Sequence, residues 1–320
     1  MDLEEFLSEW HNDSPTVLVH TSGSTGKPKP MWVEKRRMEA SARITCEFLG
    51  LKAGDTALLC MSLDYIAGKM MVVRALTCGL RLVATEPSSH PLAAVTQPID
   101  FAAMVPLQVW NSLQVAEERQ RLEAIGHLII GGGAIDQALA KELRSLPNGV
   151  WSTYGMTETL SHIALRRLSG PDASDWYTPF EGVSVAQQAD GCLIIHAPAV
   201  CAEPLATNDM AELRGQQFRI LGRRDNVICS GGIKIQAEEA ERLLAPHLQA
   251  PFCISSRRDQ QLGEAVVLLT AQNDLAAVRK ICEQVLPRLW RPRHYVSIDQ
   301  LPLTPTGKIA RKEAARLAAP

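Results

Sequence analysis

The sequence lacks several features that would place the chain outside ordinary globular proteins. No apolar run approaches the roughly 18 residues that a membrane span requires. The acidic opening MDLEEFLSEW has neither the basic start nor the apolar stretch of a signal peptide. The eight cysteines form no Cys-x-x-Cys pair and no metal-binding spacing. Thirty-three basic residues stand against 35 acidic ones, which argues against nucleic-acid and membrane partners. We therefore expect a cytoplasmic protein.

Short apolar runs alternate with helix-like segments through the first half of the chain. Strands are predicted near 55–63, 80–85, 100–105 and 127–133, and helices near 35–49, 64–76, 107–123 and 135–145. This alternation is typical of a mostly parallel α/β sheet with helices on its faces. Gly50 stands where a C-terminal cap of the helix before it is expected.

The pattern changes after Cys192 to short strands separated by turn signals. Beyond the polar stretch GRRDN at 222–226, two helix-like segments (237–248 and 274–290) alternate with strands near 264–271 and 294–299. This pattern predicts a compact α+β unit. We expect a large N-terminal domain over residues 1–221, with a short-stranded β region at its end, and a small domain over 222–320.

Residues 20–30 read HTSGSTGKPKP and follow the apolar run 17–19. Glycines let backbone N–H groups approach a phosphate, hydroxyls donate further hydrogen bonds, and lysine supplies positive charge. The spacing is not that of a P-loop, because Gly23 and Gly26 are only three residues apart and Pro28 follows Lys27. Taken alone, the segment is as compatible with a surface turn as with a phosphate site.

Further blocks follow this loop in a fixed order. They are Gly131-Gly132-Gly133, Tyr154-Gly155-Met156-Thr157-Glu158, Thr207-Asn208-Asp209, Gly222-Arg223-Arg224-Asp225 and Pro305-Thr306-Gly307-Lys308. Together with the loop they resemble the adenylate-forming superfamily, which includes acyl-CoA synthetases, peptide-synthetase adenylation domains and luciferases. The resemblance implies a large domain followed by a small mobile one. It also implies a two-step reaction, in which a carboxylate attacks ATP to give an acyl-adenylate and the thiol of coenzyme A then displaces AMP.

The resemblance assigns the nucleotide to several blocks. The residues that would hold its β- and γ-phosphates are Thr21, Ser22, Gly23, Ser24, Thr25, Gly26 and Lys27. Gly132 would let the backbone approach the adenine, and Tyr154 would stack on it. Asp209 would accept hydrogen bonds from the ribose hydroxyls, with Arg223 beside it.

Three residues would serve the chemistry itself. Thr157 would bind phosphate, Glu158 would hold Mg²⁺, and Lys308 would neutralise the α-phosphate while the adenylate forms. The middle residue of the Thr-Gly-Asp triplet usual in the family is Asn208 here. Asparagine tolerates left-handed backbone, so a turn at this point remains possible.

Three stretches, at 103–110, 154–165 and 230–241, are similar to the o-succinylbenzoate–CoA ligases of menaquinone biosynthesis. The segment SLDYIAGKMMVVRAL aligns Gly68 with a family glycine and Arg74 with a family arginine, whereas Tyr65 replaces the usual histidine. Arg74 would then hold the carboxylate of the substrate that is not activated. The other residues expected to line the acid pocket are Gly155, Ser161 and His162. The alternatives are a surface arginine and a structural histidine.

Members of the superfamily usually carry a long region before the phosphate loop, and only 20 residues precede it here. We expect a naturally short enzyme, with a homodimer as one way to bury the faces that the absent region would cover. The alternatives are a ligase for another aromatic or branched acid, one that loads a carrier protein, and a catalytically silent nucleotide-binding homologue.

Overall fold

The computed structural model of the chain describes residues 1–20, 30–133, 135, 137–304 and 308–319. Its helices are α1 (Leu3–His11), α2 (Lys35–Leu49), α3 (Ile66–Cys78), α4 (Pro106–Gln114), α5 (Ala116–Glu123), α6 (Gln137–Arg144), α7 (Ala237–Leu244), α8 (Leu275–Val285) and α9 (Arg311–Ala318).

The strands before residue 180 are β1 (Thr16–His20), β2 (Pro30–Glu34), β3 (Thr56–Leu59), β4 (Arg81–Ala84), β5 (Phe101–Met104), β6 (His127–Ile130), β7 (Gly149–Gly155), β8 (His162–Arg167) and β9 (Thr178–Pro179). Those after it are β10 (Ser184–Gln187), β11 (Cys192–His196), β12 (Leu205–Arg214), β13 (Gln217–Arg223), β14 (Val227–Ser230), β15 (Ile233–Gln236), β16 (Phe252–Asp259), β17 (Gly263–Thr270) and β18 (His294–Ser297). None of the helices in the described ranges is long and apolar enough to cross a membrane.

The chain divides into two compact units. The first comprises Met1–Ala186, Ile194–Leu205 and Arg214–Phe218. The second comprises Gln187–Leu193, Ala206–Leu213 and Arg219–Pro320.

A seven-stranded sheet organises the first unit, with the strand order β4-β3-β5-β6-β7-β8-β9. The five strands from β4 to β7 in this order run parallel, and β8 and β9 are antiparallel additions at one edge. Leu58, Met104 and Leu128 from its central strands share one apolar core with Val109 of α4 and Leu143 of α6. The predicted parallel sheet with helices on its faces is therefore confirmed.

Local backbone explains where the predicted helices end. The helix expected over 35–49 is confirmed, and it ends at Gly50, whose φ is 68°. The helix expected over 107–123 is instead α4 followed by α5, because Val115 between them adopts extended backbone. The helix expected to reach residue 290 ends at 285, where Pro287 follows and cannot donate to the helical ladder.

The second unit is built on a five-stranded sheet of order β15-β14-β17-β16, with β18 parallel to β17. Successive residues of β17 face opposite sides. Val266 and Leu268 pack with α7 and α8, whereas Val267 and Leu269 pack with Ala314 of α9. A strand covered on both faces reads as a continuous apolar run, which explains the sequence EAVVLLT. The predicted α+β unit in the C-terminal third is confirmed.

Two smaller sheets complete the fold. β1 and β2 form an antiparallel pair, and β10, β11, β12 and β13 form a four-stranded sheet in that order.

Helix α3 is fixed at its beginning by two contacts. A Cβ on Gly68 would lie 2.3 Å from the carbonyl oxygen of Ser62, so only glycine lets the helix approach this backbone. The buried Lys69 donates from Nζ to the carbonyl of Leu18 at 2.9 Å and lies 3.6 Å from Glu9. These contacts set the position of the rest of α3.

We predict that Gly68→Ala lowers the free energy of unfolding by about 1–3 kcal/mol, because the added methyl group overpacks against backbone that cannot rotate away. Urea denaturation of the full chain measures this loss. Ala67→Ser, at an exposed position of the same helix, is the control and should stay within about 0.5 kcal/mol. A loss for Gly68→Ala no larger than the control's would contradict the steric explanation.

Candidate active site

Arg74 lies in the middle of α3 and is only 2% exposed. Its Nη2 donates to Ser161 Oγ at 2.7 Å, and its Nη1 makes a weak contact of 3.7 Å with Met71 Sδ. Its Nε has no hydrogen-bond partner, and no acidic side chain of the described residues pairs with it. Burial lowers the pKa of the Arg74 guanidinium to about 10, partly offset by Cys46 and Cys78 nearby. The site therefore contains a buried cation without a counterion from the described part of the chain.

Ser161 and His162 stand beside this guanidinium at the start of β8. The Oγ of Ser161 lies 3.1 Å from His162 Nδ1, and His162 Nε2 lies 3.2 Å from Thr45 Oγ1 of α2. Burial, followed by the charge of Arg74, lowers the pKa of His162 well below its ordinary value. His162 is therefore a neutral side chain with a partner at each ring nitrogen.

The turn before Ser161 is held tightly. A Cβ on Gly155 would lie 2.2 Å from the Ser161 carbonyl oxygen and 2.4 Å from His162 Cα, so β7 and β8 approach each other only over glycine. Leu160 has a φ of 64°, the only positive φ at a non-glycine position in the described residues. The buried Thr159 hydroxyl accepts from the Met156 N–H at 3.0 Å and donates to the Ser161 carbonyl at 2.8 Å. Such strain persists only where the surroundings over-determine the backbone.

The block at 154–158 contains an aromatic ring at its first residue and a carboxylate at its last. Tyr154 packs against Tyr177 and Phe218, with ring centroids 5.7 and 5.0 Å away. Thr157 is nearly buried and Glu158 is exposed, on the one-turn helix after β7. Gly132 follows β6 in the turn between β6 and α6, with a φ of 77°.

Glu158 is the one carboxylate predicted to bind Mg²⁺. No group of three or more metal-ligating side chains occurs in the part of the chain that the structure describes. A single exposed carboxylate suits an ion that takes its remaining ligands from a nucleotide and from water.

A second cluster lies in the second unit. Arg223 at the end of β13 donates from Nη1 to Asp209 Oδ1 at 3.1 Å and from Nη2 to Asp225 Oδ2 at 3.3 Å. Lys308 is exposed, yet the protein around its ammonium group lowers its pKa; Asp209 opposes this shift and Arg223 adds to it. The predicted ribose carboxylate, its arginine and the predicted adenylation lysine are therefore electrostatic neighbours.

Asn208 does not form the turn that its tolerance of left-handed backbone suggested. It lies within β12 and is absent from the described positions with positive φ. Its Oδ1 accepts a hydrogen bond from Arg224 Nη2, and Arg224 Nη1 bonds Asp190 Oδ2 at 2.8 Å. Asparagine at this position therefore acts through its side chain.

Hydrogen bonds fix the backbone of Lys308 and the residues that follow it. Its backbone N–H donates to Thr304 Oγ1 at 3.1 Å, and its carbonyl accepts from the Thr304 N–H at 2.7 Å. Three residues later, Arg311 makes a bidentate pair with Glu241, with nitrogen–oxygen distances of 2.7 and 2.8 Å. Arg311 also donates to the Ile254 carbonyl at 3.0 Å, which ties the start of α9 to α7 and β16.

Several predicted residues lie outside the described ones. They are Thr21, Ser22, Gly23, Ser24, Thr25, Gly26 and Lys27, together with Pro305, Thr306 and Gly307.

Two residues that contact the predicted site were not predicted from the sequence. Thr45 reaches His162 from 117 residues away, and Glu241 reaches Arg311 from 70 residues away. No local pattern marks Thr45, which reads as one more buried residue of α2. The acidic Glu241 in the apolar seam of α7 is a signal that could have suggested a buried cationic partner.

The chain is similar to known proteins in sequence. The family described as AMP-binding enzyme matches residues 4–189. The 2-succinylbenzoate–CoA ligase of Salmonella typhimurium is 28% identical over 301 residues, which cover 88% of this chain but 64% of that protein.

Solved structures give the same picture. An acyl-CoA synthetase (AMP-forming)/AMP-acid ligase II-like protein from Dyadobacter fermentans is 33% identical, with a TM-score of 0.67 over 97% of this chain and 91% of that one. An o-succinylbenzoate coenzyme A synthetase from Bacillus subtilis, in complex with ATP and a magnesium ion, is 22% identical, with a TM-score of 0.74 over 92% and 69% of the two chains. At that identity the likeness concerns the fold.

We predict opposite stability effects for Arg74 and Arg311. Arg311→Met should lower the free energy of unfolding by about 3 kcal/mol, because it leaves the largely buried Glu241 without its partner. Arg74→Met should leave stability unchanged or raise it, because it removes a buried charge that no carboxylate compensates. Urea denaturation without ligands measures both changes.

The control is Arg316→Met, also on α9, whose pair with Glu313 is exposed and should contribute little. A large loss of stability on Arg74→Met would mean that the guanidinium is a structural element. In that case its burial could not be attributed to an anionic ligand.

Proposed function

Because the chain belongs to the AMP-binding enzyme family, we propose that it activates a carboxylic acid with ATP and transfers the acyl group to coenzyme A. We further propose that the acid is o-succinylbenzoate. Two of the similar proteins carry that activity in their names, one of them solved with ATP and magnesium. The chain spans 64% of the Salmonella ligase, so the activity of the whole of that protein is transferred here as a hypothesis.

The observation that carries the choice of acid is the environment of Arg74. A buried guanidinium normally has a carboxylate partner, since the desolvation of an isolated charge is costly. None of the described residues supplies one, and Nε remains unbonded. A substrate with two carboxylates would satisfy this cation with the group that is not activated. A monocarboxylic acid would use its only carboxylate for the reaction and leave Arg74 unpaired.

The chemistry then needs positioning and charge neutralisation more than covalent help. The substrate carboxylate is already a nucleophile, so its attack on the α-phosphate requires no general base. Mg²⁺ at Glu158 would supply charge neutralisation for the phosphates. Tyr154 would bind the adenine, and Asp209 with Arg223 would bind the ribose. The loop at 21–27 would take the β- and γ-phosphates.

Lys308 would act in the first half-reaction only. An ammonium group that contacts the α-phosphate as negative charge builds up stabilises the transition state more than the bound nucleotide. The protein around its ammonium group lowers the pKa of Lys308, Asp209, the carboxylate proposed for the ribose, raises it, and Arg223 lowers it further, so the ammonium group lies within electrostatic range of both side chains. Arg311 would keep the segment in place through its pair with Glu241.

The experiment for the substrate is carboxylate-dependent ATP–pyrophosphate exchange across a panel of acids. We expect the highest kcat/KM with o-succinylbenzoate. Arg74→Gln should raise KM for this acid by about tenfold to a hundredfold, since it removes hydrogen bonds from a charged donor. The same variant should barely change KM for 4-oxo-4-phenylbutanoate, which lacks the aromatic carboxylate. Strong exchange with benzoates and none with o-succinylbenzoate would refute the proposed substrate, and no exchange with any acid would favour a silent homologue.

The experiment for Lys308 separates the half-reactions. Lys308→Gln should reduce pyrophosphate exchange by about 100- to 1,000-fold, because it removes a cation that is needed only while the adenylate forms. Thioester formation from a synthetic acyl-adenylate and coenzyme A should change by no more than a few-fold. Lys312→Gln, at an exposed position of α9, is the matched control. Equal losses in both half-reactions would contradict the assigned role.

A further inference from the structure

A chain of hydrogen bonds leads away from Arg74 into the interior of the first unit. It passes from Arg74 Nη2 to Ser161 Oγ, from Ser161 to His162 Nδ1, and from His162 Nε2 to Thr45 Oγ1, with steps of 2.7, 3.1 and 3.2 Å. It ends where the Thr45 hydroxyl meets the Ser41 carbonyl at 3.0 Å, one turn earlier in α2. His162 is 7% exposed and Thr45 is fully buried, so water does not compete for the inner bonds.

The two ends of this hydrogen-bond chain determine which group donates at each step. A carbonyl oxygen can only accept, so the hydrogen of the Thr45 hydroxyl points to Ser41 and its oxygen is left to accept from the ring. A guanidinium can only donate, so Ser161 Oγ accepts from Arg74. The Ser161 hydroxyl then donates to Nδ1, and the proton of the neutral ring resides on Nε2. Each of the four hydrogen bonds then has one donor and one acceptor.

The opposite tautomer satisfies fewer groups. With its proton on Nδ1, His162 would donate to Ser161 Oγ, which already accepts from Arg74. The Thr45 hydroxyl would have to turn from Ser41 to Nε2, and the Ser161 hydroxyl hydrogen would have no acceptor in the chain. Buried polar groups are rarely left unpaired, so the Nε2-H form is favoured. The ring is neutral because burial and Arg74 disfavour its charged form.

We propose that Thr45 is a positioning residue for substrate selection: it fixes the Nε2-H tautomer of His162 and thereby commits the Ser161 hydroxyl hydrogen to the ring. The proposal rests on the proposed function, because it assumes that Arg74 binds a substrate carboxylate. In this state Ser161 offers a ligand no hydrogen, and of the side chains Arg74, Ser161, His162 and Thr45 only Arg74 can donate to one. A guanidinium discriminates strongly between a carboxylate and a neutral group, whereas a free hydroxyl would donate to either one. These hydrogen bonds would therefore make the site prefer a carboxylate over a neutral group.

The tautomer is measurable without any substrate. In protein with ¹⁵N-labelled histidine, long-range ¹H–¹⁵N spectra distinguish the two neutral forms, and the loss of one ring signal in His162→Asn identifies His162. We expect the Nε2-H form in the wild type and in Thr45→Ser, which keeps the hydroxyl. Thr45→Val removes the acceptor and should move the proton to Nδ1. An Nδ1-H ring in the wild type, or an unchanged tautomer in Thr45→Val, would overturn the proposal.

The effect on selection is read from a ratio. We compare kcat/KM in pyrophosphate exchange for o-succinylbenzoate and for its ester at the aromatic carboxylate. Thr45→Val should reduce the preference for the diacid by about threefold to tenfold, the range of one hydrogen bond, whereas Thr45→Ser should retain it. A merely structural role would lower both values and leave the ratio unchanged, which would count against the proposal.

The experiments distinguish failure of the proposed function from failure of the role of Thr45. If no acid supports exchange but the tautomers behave as expected, the proposed function fails and the hydrogen-bond chain stands. If exchange proceeds with o-succinylbenzoate but His162 carries its proton on Nδ1, the function stands and the role of Thr45 is wrong.

Discussion

A positive charge buried in α3 without a described carboxylate beside it is the constraint around which the first unit is arranged. Arg74 is almost completely buried, and its partners are a hydroxyl and a thioether sulfur. Close contacts position the elements that surround it. Gly68 lets the helix rest on the backbone of Ser62, and Lys69 ties it to β1. Gly155 lets β8 bring Ser161 to the guanidinium. Under the proposed function, the substrate carboxylate would meet a guanidinium whose position these contacts already fix.

In the second unit, the partly buried Arg311 has the carboxylate partner that Arg74 lacks. Arg311 is matched by Glu241 with two short bonds and by the Ile254 carbonyl. Burial raises the pKa of Glu241 while Arg311 opposes this, so the pair is stable only when both members are present. The pair therefore reads as an anchor for the segment that carries Lys308. Arg311 is thus compensated within the second unit, whereas none of the described carboxylates compensates Arg74.

The sequence was most informative where structure follows from local chemistry. The alternation of apolar runs predicted the parallel sheet, and a glycine after an amphipathic segment predicted the end of α2. The break at Val115 has no local signal, and the contacts that accompany it are partly long-range: Glu118 accepts from Ser112 and from His90 of another segment. The motifs likewise named Arg74, Ser161 and His162 but not Thr45. Its role arises only when α2 packs beside β8, and a relation across 117 residues leaves no local pattern.

Asn208 illustrates how a departure from a motif is absorbed. The glycine usual in its place suggests a backbone requirement, and asparagine was expected to meet it through left-handed backbone. The strand conformation of β12 makes no such demand. Two adjacent arginines instead divide their partners: Arg223 bonds Asp209, whereas Arg224 bonds Asn208 and Asp190. Because Arg224 is occupied elsewhere, Arg223 is the arginine left to orient Asp209. The substitution therefore supports the carboxylate proposed for the ribose, and a glycine at this position would have left Arg224 with Asp190 alone among these contacts.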